Sequence, residues 1–218
     1  MNEVYKFKIM IRGLEDKIWR EIHIKNTQTI ADLAYAILVS FNSLASHLFE
    51  FEIGNTRYSC GVDYEEGKEI FEYVKQNNNN EDLAVNIVTE MCNSTEVKLS
   101  DIDFVNLPNF EFNYDFGSPT IFDIEYLGSY ELEEKQKISV PKVHEGKGFG
   151  MIDNIINEDL IEIVEKSEKT KRPEHFVNNI FYDIVLFDNE SFDLRGNNLK
   201  MEVLFNKIKE LYENPQTY

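Results

Sequence analysis

Between Tyr5 and Ile11 every second residue is apolar or aromatic (Tyr5, Phe7, Ile9, Ile11), while Lys6, Lys8 and Arg12 take the alternate positions. That period of two belongs to a strand with one face in a core and one in water. Gly13–Lys17 then reads as a turn. Ile18, Ile22 and Ile24 restore the alternation, with Trp19, Glu21, His23 and Lys25 on the opposite face, which predicts an antiparallel hairpin. At Thr29 the period changes. Thr29 stands three residues before Asp32, the spacing at which hydroxyl and carboxylate satisfy each other's backbone N–H groups at a helix start. Ile30, Leu33, Ala34, Ile37, Leu38 and Phe41 supply one apolar helical stripe. Phe49, Phe51 and Ile53 predict a third strand, Gly54-Asn55 a two-residue turn, and Arg57–Cys60 a fourth. The order β-β-α-β-β predicts a helix laid across a mixed sheet, a β-grasp-like start to an α+β fold.

Further along, Tyr64–Lys75 predicts a short acidic helix and Asn77–Asn80 an exposed polar loop. Phe110, Phe112 and Tyr114 alternate again. After Gly117-Ser118-Pro119 so do Ile124 and Tyr126, within Ile121–Leu127, which predicts a second hairpin extending the sheet. Glu131–Val140 is expected to add a strand before Pro141, and Gly146–Gly150 to form a mobile Gly-rich loop. Beyond Asp153 the period is helical: Ile156, Leu160, Ile163 and Val164 form one stripe, with Lys166, Lys169, Lys171 and Arg172 near its end. A last helix capped by Asp193 carries Leu194, Leu199, Val203, Leu204, Ile208 and Leu211, so the C-terminal third is expected to be helical. With no repeat and no long linker, residues 1–218 are read as one α+β domain with a variable insertion at about 63–98.

Charge excludes several functions. The chain of 218 residues has 40 acidic against 22 basic side chains, a formal charge of −18. Five arginines (Arg12, Arg20, Arg57, Arg172, Arg195) are dispersed along it. A protein that tracks DNA phosphates needs clustered cations, so no direct duplex DNA binding is expected; a basic protein is a more natural partner. Cys60 and Cys92 stand apart from any ligand-spaced Cys or His, so neither metal nor cofactor is expected. The longest apolar run, Leu33–Val39, is far short of the roughly 20 residues a bilayer requires, and the N-terminus has no signal-peptide h-region. A cytoplasmic protein away from membranes is expected.

Four stretches carry a family likeness: Ile18-Trp19-Arg20; Leu33 followed by His47-Leu48-Phe49-Glu50-Phe51; Tyr114-Asp115-Phe116-Gly117; and Phe192-Asp193-Leu194. In order and spacing they resemble the plasmid Ri ORF-three-like family, whose members are also labelled TnpR-like passenger proteins of insertion elements. The resemblance spans about Val4 to Leu204 and is interrupted between about Asp63 and Lys98. It implies an α+β fold and carriage on plasmids, phages or other mobile elements, and it implies no particular reaction. Where family members follow the Tyr-Asp-Phe-Gly element with an acidic residue, Trp and His, this chain has Ser118–Asp123.

The same stretches supply the candidate binding residues Trp19, Arg20, His47, Tyr114 and Asp115. Strand alternation puts Arg20 on the apolar face with Ile18 and Ile22, where it needs a partner, and Asp115 is the expected one. His47 is a candidate general base if a carboxylate orients it. Recombinase chemistry needs several arginines converging beside a nucleophile, which five scattered ones do not offer. Three functions follow as expectations. The first is a non-catalytic accessory or binding protein of mobile elements acting through protein partners. The second is a small hydrolase or transferase using Arg20, His47 and Asp115. The third is an acidic DNA-mimicking inhibitor, whose charge would come from Asp63, Glu65, Glu66, Glu69 and Glu72 with Asp82, Glu90, Glu96, Asp101 and Asp103.

Overall fold

The computed structural model describes residues 3–77, 90–132, 141–178, 183–188 and 190–214. The opening hairpin is β1 (Glu3–Ile11) and β2 (Trp19–Lys25), paired with Phe7 opposite Ile22 and Ile9 opposite Arg20. Helix α1 (Ile30–Ser40) starts on the expected capping box: Asp32 N donates to Thr29 Oγ1 at 3.1 Å and Thr29 N to Asp32 Oδ2 at 3.0 Å. There follow β3 (Phe49–Ile53), β4 (Thr56–Ser59), the acidic α2 (Val62–Asn77), β5 (Glu90–Asn93), β6 (Asn109–Tyr114), β7 (Thr120–Glu131) and β8 (Lys142–Lys147). The chain ends with α3 (Asn157–Thr170), the hairpin β9 (Glu174–Asn178) and β10 (Asp183–Phe187), and α4 (Leu194–Glu213). The fold is α+β.

Eight strands form one mixed sheet in the order β5-β4-β3-β6-β7-β1-β2-β8, and β9 and β10 form a separate pair. Only β4 and β5 run parallel among these neighbours. The second hairpin extends the sheet from within: β6 pairs with β3 and β7 with β1, so it joins the two halves of the β-β-α-β-β unit.

Helix α1 is buried on every side, wider than the single stripe its sequence suggests. Tyr35 is edge-on to Phe49 of β3 at 6.0 Å and stacked on Tyr212 of α4 at 5.5 Å, so α1 lies between the sheet and α4. An apolar helix with small residues such as Ala31 and Ala36 suits that middle layer. Lys209 of α4 donates to Asp32 Oδ1 at 2.8 Å, fixing α4 to the capped start of α1. In α4 itself Asn197, Met201 and Ile208 are buried, whereas Leu194, Leu199, Val203, Leu204 and Leu211 are exposed. Asp193 is its N-cap residue, without a side-chain capping bond.

One sequence expectation about the fold changes, the mobile loop at Gly146–Gly150. Lys142–Lys147 is a strand, and the Gly146–Gly150 stretch is the end of that strand followed by a segment wrapped around a side chain described below. Its residues have no apolar alternation, because β8 is a strand by pairing with β2, with its outer edge held elsewhere. Val143 N donates to Asn198 Oδ1 at 3.0 Å and Asn198 Nδ2 to Val143 O at 2.8 Å, so a side-chain amide of α4 occupies that edge. Of the strand expected at Glu131–Val140, Glu131 closes β7 and 133–140 lie outside the described residues. The C-terminal third is helical in α3 and α4, with the β9–β10 hairpin between them. Asn77 closes α2, and the rest of the Asn77–Asn80 run, like Asp82, lies outside the described residues.

Candidate functional site

Arg20 does not meet Asp115. Alternation along β2 carries its side chain to the buried face, as the sequence requires, and it is 0% exposed. There the guanidinium is held by backbone carbonyls. Nε donates to Ser40 O at 3.1 Å, Nη1 to Trp19 O at 2.8 Å and Lys147 O at 2.6 Å, and Nη2 to Gly148 O at 2.9 Å and Phe149 O at 3.1 Å. The rings of Phe41 and Phe192 lie 4.9 and 4.6 Å from its central carbon. All five N–H donors have acceptors, so no carboxylate is needed. Burial pushes its pKa down to about 9, still above neutrality, so the group stays charged. The C-terminal end of α1, through Ser40 O, and the glycine-containing end of β8 are thereby tied to one cation. The β8 end fits closely: a Cβ on Gly146 would stand 2.8 Å from Arg20 Cδ and from Phe192 Cζ.

His47 and Asp115 do come together. His47 lies just before β3 and Asp115 just after β6, and these strands are adjacent: Phe49 faces Tyr114, and Asp115 N donates to Leu48 O at 3.0 Å. His47 Nδ1 is 3.6 Å from Asp115 Oδ1, an ion-pair distance beyond hydrogen bonding. Nε2 is 3.0 Å from Asn154 Oδ1. Asp115 Oδ1 in turn accepts from Gly117 N at 3.1 Å, closing the turn between β6 and β7. Among the described residues, no hydroxyl or thiol is hydrogen-bonded to either ring nitrogen.

Tyr114, on the inward face of β6, forms the floor. Its hydroxyl donates to Asp153 Oδ1 at 3.1 Å and accepts from Ser46 N at 3.1 Å. Asp153 also accepts from Ser43 Oγ at 2.9 Å and Leu44 N at 3.0 Å, so one buried carboxylate organises the loop from Ser43 to Ser46. Burial, and next the charge of Asp153, push the Tyr114 pKa up to about 12. Tyr212 of α4 donates its hydroxyl to His47 O. Over this floor opens a depression of about 630 Å³ lined by Leu44–Leu48, Asp115–Gly117, Leu211 and Tyr212. Leu44, Leu48, Phe116 and Leu211 stand around it, between 43% and 62% exposed. Ala45, Asp115 and Asn154 have φ of 53°, 65° and 64°, the left-handed region that non-glycine residues seldom occupy.

Two of the five candidates therefore line the cleft, His47 and Asp115, and Tyr114 supports it from below. Trp19 sits elsewhere, on the outer face of β2, with Lys8 Nζ 5.2 Å from its ring centroid. Sequence reasoning missed Ser43, Asp153, Asn154 and Tyr212, which lie in loops or at a helix end and join the site only through long-range contacts. The sequence marks Asp153 only as the point beyond which the period becomes helical, and nothing near it names its partners.

A family model described as plasmid pRiA4b ORF-3-like protein matches residues 3–196. The chain belongs to that family. The pRiA4b ORF-3-like match covers every residue of the cleft except those that α4 contributes at its end. The fold is also similar to the crystal structure of a protein of unknown function from Methanosarcina mazei Go1. The TM-score is 0.64 at 21% identity, covering 90% of this chain and 98% of the other. No curated protein matches. Among the described residues, no helix is long and apolar enough to cross a membrane.

Proposed function

We propose that this family member is a non-catalytic accessory or binding protein of mobile elements, working in the cytoplasm through a protein partner whose apolar segment seats in the cleft. The observation that carries this reading is the convergence of Leu44, Leu48, Phe116 and Leu211, all exposed, around one depression. Apolar side chains scattered singly need no explanation, whereas several rimming one concavity mark a contact surface. The left-handed backbone at Ala45 and Asp115 adds to it, because such strain gathers where loops are shaped for contact. The net charge of −18 of the whole chain suits a basic partner.

Three of the five arginines and one nitrogen of His47 already have partners within the fold. Arg20 is spent on five carbonyls, Arg12 is paired with Asp123 and Glu111, and Arg57 lies 3.8 Å from Glu52. His47 has Nε2 tied to Asn154. The hydrolase or transferase alternative keeps only the proximity of His47 and Asp115, without its arginine. The DNA-mimic alternative rests on Glu65, Glu66, Glu69 and Glu72, which are exposed on α2, an arrangement that a solvated helix face also gives.

The test is capture from native-host extract with the tagged full chain, a Leu44→Asp/Phe116→Asp double variant, and Val105→Asp as an exposed control away from the cleft. The reading predicts one protein held by the wild type and Val105→Asp and released by the double variant. Retention by all three contradicts it. Binding that instead collapses as salt shortens the range of surface charges favours the mimic.

A further inference from the structure

We propose that Glu21, His23 and His144 form a binding site for one divalent transition-metal ion of the zinc type, on the outer face of the β2–β8 pair. Glu21 and His23 are two apart on β2 and so point the same way. His144 arrives from β8 at a break in register: Glu21 faces Glu145 and Ile22 faces Val143, leaving His144 as the extra residue of a bulge. Bulges re-aim side chains, and this one brings His144 over its neighbours. The His23 and His144 rings stack at 4.5 Å with 12° between their planes, and His23 Nε2 lies 2.7 Å from Glu21 Oε1. One ligand atom from each of the three lies within 4.8 Å of the others.

Two imidazoles and a carboxylate are a donor set that zinc favours when a position is left open to water. Zinc–ligand bonds near 2.1 Å put tetrahedral ligands about 3.4 Å apart, so closing the set requires the ion to replace the proton between His23 Nε2 and Glu21 Oε1, spreading that pair from 2.7 Å, and His144, the exposed member, to rotate. His23 is already oriented. Its Nδ1 is 3.1 Å from Tyr130 Oη; with an ion on Nε2, the nitrogen facing Glu21, the ring would carry its proton on Nδ1 and donate it to that hydroxyl, as ligating histidines are commonly held by their second nitrogen. Burial keeps the His23 pKa below its ordinary value against the opposing hydrogen bond to Glu21, with His144 and Lys6 acting in the same direction as burial. Lys6, opposite His23 on β1, opposes a cation, and Glu145, opposite Glu21, favours one. Bound there, an ion would clip the edge strand β8 to β2.

The full chain, freed of metal by chelation, is titrated with zinc chloride alone by calorimetry and with cobalt chloride alone by visible absorption, alongside His144→Ala, His23→Ala and His47→Ala. The proposal predicts one ion per chain and a tetrahedral cobalt spectrum. It predicts affinity lowered about tenfold or more by His144→Ala and His23→Ala and unchanged in His47→Ala. Zinc should also raise the melting temperature of the wild type and leave that of His144→Ala unmoved. His144 is exposed, so the metal-free melting curve of that variant reports whether it has kept the fold. No binding at about 100 μM zinc, or binding that both His144→Ala and His23→Ala leave intact, overturns the proposal.

Discussion

Arg20 and His47 each bring a polar side chain to a strand of the same sheet, yet their surroundings differ in kind. Arg20 is sealed: five donors meet five carbonyls, two aromatic rings cover its faces, and no solvent reaches it. His47 is half-open, with one nitrogen engaged, one carboxylate at 3.6 Å and an apolar-rimmed depression in front. A polar group whose hydrogen-bonding capacity is used up inside the fold stabilises it and has nothing left for a ligand. The cleft has surface and unused capacity.

The largest expected break in this contrast is Arg20→Ala. Several buried carbonyls would lose a charged donor at once, so unfolding stability should fall by about 3–5 kcal/mol, read by urea denaturation. Arg20→Lys should recover only part of it, because an ammonium has three donors and no planar fork. A loss below about 1 kcal/mol for Arg20→Ala would remove the structural role. Next comes Asp153→Ala, which strands Ser43 Oγ, Leu44 N and the Tyr114 hydroxyl. It should cost about 2 kcal/mol and also loosen the cleft, seen as faster amide exchange at Leu44–Ser46.

The pH dependence has a definite sign at His23. Its folded pKa is depressed, so as pH falls through the unfolded value near 6.5 the unfolded chain binds the proton first and stability declines. Above that value the His23 contribution is fully present. His23→Gln should flatten this part of the stability–pH curve, while Glu21, His144, Lys6 and Tyr130 remain in place around the site. An unchanged slope contradicts the assignment. The smallest effect is expected at the cleft rim, where Leu44→Asp and Phe116→Asp should each change stability by under about 0.5 kcal/mol, because neither side chain is buried.

Much of this architecture was legible in the sequence because it is written in local periods. Tyr5–Ile11, Thr29 with Asp32, and Phe49–Ile53 carry their patterns within a few residues, and the structure places strand, capped helix and strand there. Alternation also put Arg20 on the buried face. Its partners were not legible, since backbone carbonyls from Ser40 and Lys147–Phe149 leave no trace in side-chain identity. Strand β8 escaped for the related reason that Asn198, 55 residues away, holds its edge. The approach of His47 to Asp115 was foreseeable from flanking strands. Asp153 and Asn154, which organise the cleft, belong to a turn whose neighbours only the folded chain reveals.

Site-specific photocross-linking in the native host tests the cleft most directly, with a photoreactive phenylalanine analogue replacing Phe116 in one strain and Val105, 78% exposed, in another. The account predicts a discrete protein adduct from position 116 and none from position 105. Equal adducts from both positions, or none from 116 while the protein is expressed and folded, would contradict it.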